Sequence, residues 1–203
     1  MNRFLIAASF TVLSSAVAIA QTGDKPGHTS PAPGTNSETV SAVKDSTAGV
    51  VGKVSAEMTR STDGFVTAAA TSDMYEVTAG KVALQRSESA DVKAFAQQMI
   101  AAHSGTTKAL KSLIPATLVP PMSVDSRRQG MLDDLRGAKT DDFDHRYLTQ
   151  QVAAHKEADI LMRGYAKDGD NAAIKHFAAE TDKAVKMHLS MAEKLADKYK
   201  AAK

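Results

Sequence analysis

The chain contains no cysteine and no tryptophan. The first absence excludes disulfides, thiol catalysis and thiolate metal sites, so stability has to come from core packing, with or without a bound ion. It also excludes a lipid anchor on a cysteine at a signal-cleavage site. Charge of one sign is missing as well. The 25 Lys and Arg residues against 23 Asp and Glu leave a formal net charge of +2. Charges interspersed this evenly offer no basic face for nucleic acid. Beyond residue 20 no apolar run is long enough for a membrane-spanning helix, and the repeated period-two segments of a transmembrane barrel are lacking. No G-x-S-x-G, glycine-rich phosphate loop or H-E-x-x-H occurs. No catalytic residue is therefore assigned, and the balance is against an enzyme.

What is present starts with Met1-Asn2-Arg3, an apolar run from Phe4 to about Ala18, and the small-x-small sequence Ala18-Ile19-Ala20. One positive charge, a short apolar core and that ending are the parts of a secretory signal. Cleavage is expected after Ala20, which places the mature chain in the periplasm or outside the cell. Residues 21–60 read as a disordered tether. The stretch 21–39 is mostly Gly, Pro, Ser and Thr with little to bury, and a marginal helix is expected over 40–55, where Gly49 and Gly52 weaken a sparse valine face.

From residue 61 to about 200 the apolar period is 3.6. A first helix is predicted over Thr62 to Ser87. A second runs from Ala90 to Leu113, with Ser89 as N-cap and Pro115 beyond its end. A third long helix covers Asp141 to Lys167 and a fourth Asn171 to Lys200, separated by Asp168-Gly169-Asp170. Residues 114–140 form a long connection with a short helix near 126–136. Helices of about 25 residues are rods of about 37 Å. The fold class expected is all-α, a four-helix bundle with a long connection between its second and third long helices. A crossover along the bundle is favoured over a plain up-down-up-down arrangement. Met74, Met99, Met162, Met187 and Met191 read as core filler rather than as a soft-metal box.

Six histidines occur. His28 falls in the tether, and His145 and His176 lie off the apolar stripes. His103, His155 and His188 lie on the stripes of three different long helices, and Glu76 lies on the stripe of the remaining one. All four are near mid-helix, so they reach one level of the core whichever way each helix runs. Imidazole and carboxylate are both transition-metal ligands, and bundle cores are a common place for such sites. One ion of Zn, Fe, Cu or Mn bound by Glu76, His103, His155 and His188 is one reading. A buried His–Glu hydrogen-bond network without metal is the other. Ligand atoms within about 5 Å of a common point would favour the metal. Asp159, one turn after His155, is either an acceptor that orients the ring or a solvated surface acid, and the latter is preferred.

The segments "FVTAAATSDMYEVTAGKVAL", "VKAFAQQMIAAHS", "DHRYLTQQVAAHKEA" and "IKHFAAETDKAVKMHLSMAEKL" resemble an uncharacterised bacterial family of exported, ferritin-like four-helix proteins, labelled outer-membrane proteins or domains of unknown function. The resemblance spans about residues 61–197 and includes Glu76, His103, His155 and His188. It implies a ferritin-like bundle in the cell envelope and brings no established activity. Di-iron members of the wider ferritin-like group carry Glu-x-x-His on two helices. Here the residues three before the stripe histidines are Ile100, Val152 and Val185, which speaks against a di-iron oxidase and leaves a mononuclear site.

Overall fold

The computed structural model describes residues 59–201. The expected signal at 1–20, the marginal helix at 40–55 and all but the last two residues of the tether lie outside the described residues. Those described are all-helical, in five helices: α1 Thr62–Arg86, α2 Ala90–Leu113, α3 Ser126–Gly137, α4 Thr140–Asp168 and α5 Ala172–Ala201. None of the described helices is long and apolar enough to cross a membrane.

Local chemistry sets the helix ends. The Ser61 hydroxyl accepts from the Gly64 N–H at 3.2 Å, Ser89 from Val92 at 3.3 Å, and the Asp125 carboxylate from Arg128 at 2.8 Å. Each satisfies a first-turn donor that has no intrahelical partner. The Asn171 side chain does the same for Ala173 and Ile174, so it precedes α5 rather than belonging to it. Gly169 lets the chain turn tightly over α4, since a Cβ there would stand 2.5 Å from the Tyr165 ring.

α1 packs on α2 and α4, and α5 packs on the same two helices. Contacts fix the directions. Phe65 stacks on Tyr165 while Tyr75 donates to Gln150, so α1 and α4 are antiparallel. Asp73 meets Thr107 while Gly80 lies against Ala96, so α1 and α2 are antiparallel as well. Lys198 pairs with Asp91 and His188 faces His103, which makes α2 and α5 antiparallel. It follows that α2 and α4 point the same way. The 114–139 connection therefore travels the length of the four long helices, as the favoured topology requires. Within that connection α3 lies against α1 and α4. Its carboxyl end is held by Arg86, whose guanidinium donates to the carbonyls of Leu135, Arg136 and Ala138.

The core is in two apolar halves. One gathers Phe95, Met99, Leu132, Leu135, Phe143 and Tyr147, and the other Phe65, Leu110, Leu161, Tyr165 and Ile174. Met99 and Met162 are core residues as expected, but Met187 is 53% exposed. It sits one residue before His188 and so faces away from the stripe. Between the halves lies a layer of buried polar side chains at mid-bundle height.

Candidate metal centre

The layer is built from one mid-helix position on each long helix. α2 supplies His103, α4 His155 and α5 His188, each buried, and their ring centroids stand 5.6, 6.0 and 5.6 Å apart. One nitrogen from each ring lies within 4.8 Å of the other two. Glu76 of α1 is buried beside them. Its Oε1 is 3.9 Å from His155 Nδ1, and its Oε2 accepts from Gln151 Nε2 at 2.7 Å. The structure thus brings the three histidines to one point and sets Glu76 against one flank of that group. His145 and His176 are elsewhere: His145 has 40% of its side chain exposed near Asp142, and His176 is exposed.

Hydrogen bonds decide which nitrogens face inward. His103 Nδ1 is 2.8 Å from Asp73 Oδ1, and the other oxygen of that carboxylate accepts from Thr106 and Thr107 at 2.9 and 2.8 Å. Because Asp73 only accepts, His103 Nδ1 carries the proton. His155 Nδ1 is 2.9 Å from the Gln151 carbonyl oxygen, so it too is the N–H. In the neutral form of each ring Nε2 then carries a lone pair. His103 Nε2, His155 Nε2 and His188 Nδ1 are all buried and have no hydrogen-bond partner among the described residues. Tyr147 Oη and Gln151 Oε1, two turns and one turn before His155 on the same face of α4, are buried without partners too. Most buried polar atoms in native proteins are paired, so three unpaired ring nitrogens facing one another are a departure from the rule.

The electrostatics suit ligand chemistry. Burial, reinforced by the neighbouring His103, lowers the pKa of His155 to about 4. Burial, with His155 and His103 close by, does the same to His188, also to about 4. Both rings are therefore neutral near pH 7, as metal binding requires. Burial alone would lower His103 too, but the Asp73 hydrogen bond and the charges of Glu76 and Asp73 outweigh it and raise the pKa. Burial raises Glu76, against the opposing pull of His103 and of the Gln151 hydrogen bond.

Sequence reasoning missed Asp73 and gave no role to Gln151. The pattern held a signal for the first, because Ala69, Asp73, Glu76 and Gly80 share one helical stripe and a carboxylate there needs a partner. The Gln151 contribution had none, since its backbone carbonyl is what orients His155. Asp159 does not touch His155. Its carboxylate accepts from Arg163 at 3.1 Å and lies 3.7 Å from Lys186 Nζ.

The family described as "Domain of unknown function (DUF4142)" matches residues 51–195. The chain belongs to this family. No curated protein and no solved structure matches it. The DUF4142 match takes in all four helices of the polar layer, and with them Asp73, Glu76, His103, His155 and His188.

Proposed function

We propose that this DUF4142 protein is an exported, ferritin-like four-helix bundle that binds one transition-metal ion through His103, His155 and His188. The observation that carries the proposal is the set of three buried orphan ring nitrogens, facing one another. Two of these rings already have their outer N–H fixed by an acceptor, the arrangement that orients histidine ligands in metalloproteins. A tetrahedral shell with metal–nitrogen bonds of 2.0–2.1 Å puts its nitrogens roughly 3.3 Å apart, so the rings would draw in slightly around an ion. Glu76, expected from the sequence as a fourth ligand, lies on the Nδ1 side of His155 outside the converging group, as a buried countercharge. Three imidazoles and a carboxylate suit Zn, Fe, Cu or Mn. An ion bound there would act as a Lewis acid at an open position, and the side chains would hold it and exclude water.

The ferritin-like reading is supported by the parallel course of α2 and α4 and by the long connection between them. Export is supported by the Ala18-Ile19-Ala20 pattern. A binding role is preferred to turnover because no nucleophile stands among the orphan nitrogens of the described residues. The test is elemental analysis of protein purified without a histidine tag, with thermal unfolding followed as Zn, Fe, Cu or Mn is added. About one equivalent of metal and a raised Tm are expected in the wild type, both lost in His103→Ala/His155→Ala. No stoichiometric metal and no thermal shift would overturn the proposal.

A further inference from the structure

The three histidines are not equivalent on their outer sides. Asp73 accepts the outer N–H of His103, and the Gln151 carbonyl accepts that of His155. His188 has no such acceptor. Its buried orphan is Nδ1, and its Nε2 also lacks a partner among the described residues. The ring, 4% exposed, forms part of the wall of a groove between α2 and α5.

That groove is shallow and open on its outer side, with a volume of about 660 Å³. α2 lines it with Ala102, Gly105 and Ala109, and α5 with Ala173, Phe177 and His188. The small side chains on α2 leave the space open, and a Cβ at Gly105 would meet no atom within 4 Å. Because the two helices are antiparallel, the groove has ends. His188 and Ala102 are at its mid-bundle end. Leu113 and Ala173 are at the other, about 16 Å along α2 by the helix rise. Glu180 on the rim is already neutralised by Lys183, with contacts of 2.8 and 2.9 Å. A long, largely apolar trough that ends on an imidazole nitrogen without a partner matches a linear amphiphile whose head accepts when that nitrogen carries the proton.

We infer that the α2–α5 groove binds an unbranched aliphatic monocarboxylate, its carboxylate accepting from His188 Nε2 and its tail lying along Ala109 and Phe177 toward Leu113. The inference rests on the metal reading above, in which His188 binds the ion through Nδ1 and so carries its proton on Nε2. The bound carboxylate supplies for His188 what Asp73 supplies for His103. A carboxylate is selected over an alcohol because its hydrogen bond to a metal-polarised imidazole is charge-assisted.

Calorimetric titration of the zinc-loaded full chain with dodecanoate and with 1-dodecanol tests this, with zinc content measured on the same samples. Dodecanoate should bind one to one, at least about tenfold more tightly than the alcohol. Gly105→Phe should fill the trough, weaken dodecanoate about tenfold or more and leave zinc stoichiometry unchanged. Zinc binding without dodecanoate binding overturns this inference and leaves the metal site standing. So does equal affinity for acid and alcohol, or indifference to Gly105→Phe. A chain that takes up no zinc overturns both.

Discussion

Acid should weaken the metal-free protein through His155, and a single substitution isolates the effect. His155 is 1% exposed and its pKa is lowered to about 4 by burial and by the nearby His103, against 6.5 for an unperturbed ring. Above pH 6.5 the ring is neutral folded or unfolded and contributes no pH dependence. Between 6.5 and 4 the unfolded chain takes up a proton at this residue that the folded chain refuses. Stability therefore falls as pH falls through that window and levels off below it. A difference of about 2.5 units corresponds to about 3 kcal/mol. Glu76 and His103 act in the opposite sense, because each has a raised pKa in the folded state and so favours folding as it gains its proton. His188, lowered to about 4 as well, acts in the same sense as His155, and the total curve mixes all four. The difference between wild type and His155→Gln removes most of what they share. Urea unfolding followed by circular dichroism, since there is no tryptophan to report, should be run with a chelator at steps from pH 7 to pH 4. The wild type should lose about 3 kcal/mol relative to the variant over that range. Parallel curves would show that His155 is not held neutral by burial, and the electrostatic account of the layer would fail.

Two further outcomes follow from the geometry. Asp73→Asn removes the carboxylate that accepts from His103 Nδ1, and metal affinity measured by chelator competition should fall about 10- to 100-fold while the helical signal is kept. Unchanged affinity would show that Asp73 only ties α1 to the Thr106 and Thr107 hydroxyls. Gly80→Ala would put a Cβ 2.8 Å from Ile100 Cγ1 and 3.1 Å from the Ala96 carbonyl oxygen, where α1 and α2 approach closely. The backbone oxygen cannot step aside, so strain should outweigh the better helix propensity of alanine. A net loss of about 1–2 kcal/mol is expected in urea unfolding, and a gain would refute the close approach.

The helices were legible because each carries its own punctuation. Ser61, Ser89 and Asn171 announce starts, Pro115 and Gly169 announce stops, and the 3.6 period between them is long. Boundaries fall within one or two residues of those expected. The histidines were legible for the same reason, since periodicity alone places 103, 155 and 188 on core faces. Their partners were less so. A helical stripe tells which side chain is buried but not which atom of it is occupied, and here the occupied atoms set the chemistry. Asp73 shares its stripe with Glu76, yet only the packing of α1 on α2 shows that it reaches the His103 ring while Glu76 turns toward Gln151 and His155. Met187 shows the converse error, in which residue type outweighed position. The groove had no sequence signal, because it arises from small residues on two helices that meet only after folding.

The polar layer also bears on why the bundle tolerates such a core. A buried polar atom without a partner costs about 1–3 kcal/mol, and the layer holds three of them, the facing ring nitrogens of His103, His155 and His188. The apolar halves on either side provide the burial that offsets this, through Phe65 stacked on Tyr165 at one end and Phe143 stacked on Tyr147 at the other. Those halves also fix the level at which the rings meet, because sliding any one long helix by a turn would put a histidine against phenylalanine or leucine. The layer therefore sets register while remaining short of partners. A guest that pairs the orphan nitrogens gains not only its own bonds but also the relief of that deficit, and any ligand that binds the folded state alone stabilises it by mass action. Metal affinity and resistance to unfolding should consequently rise and fall together across substitutions in the layer. Substitutions in the apolar halves should move stability and leave intrinsic metal affinity unchanged.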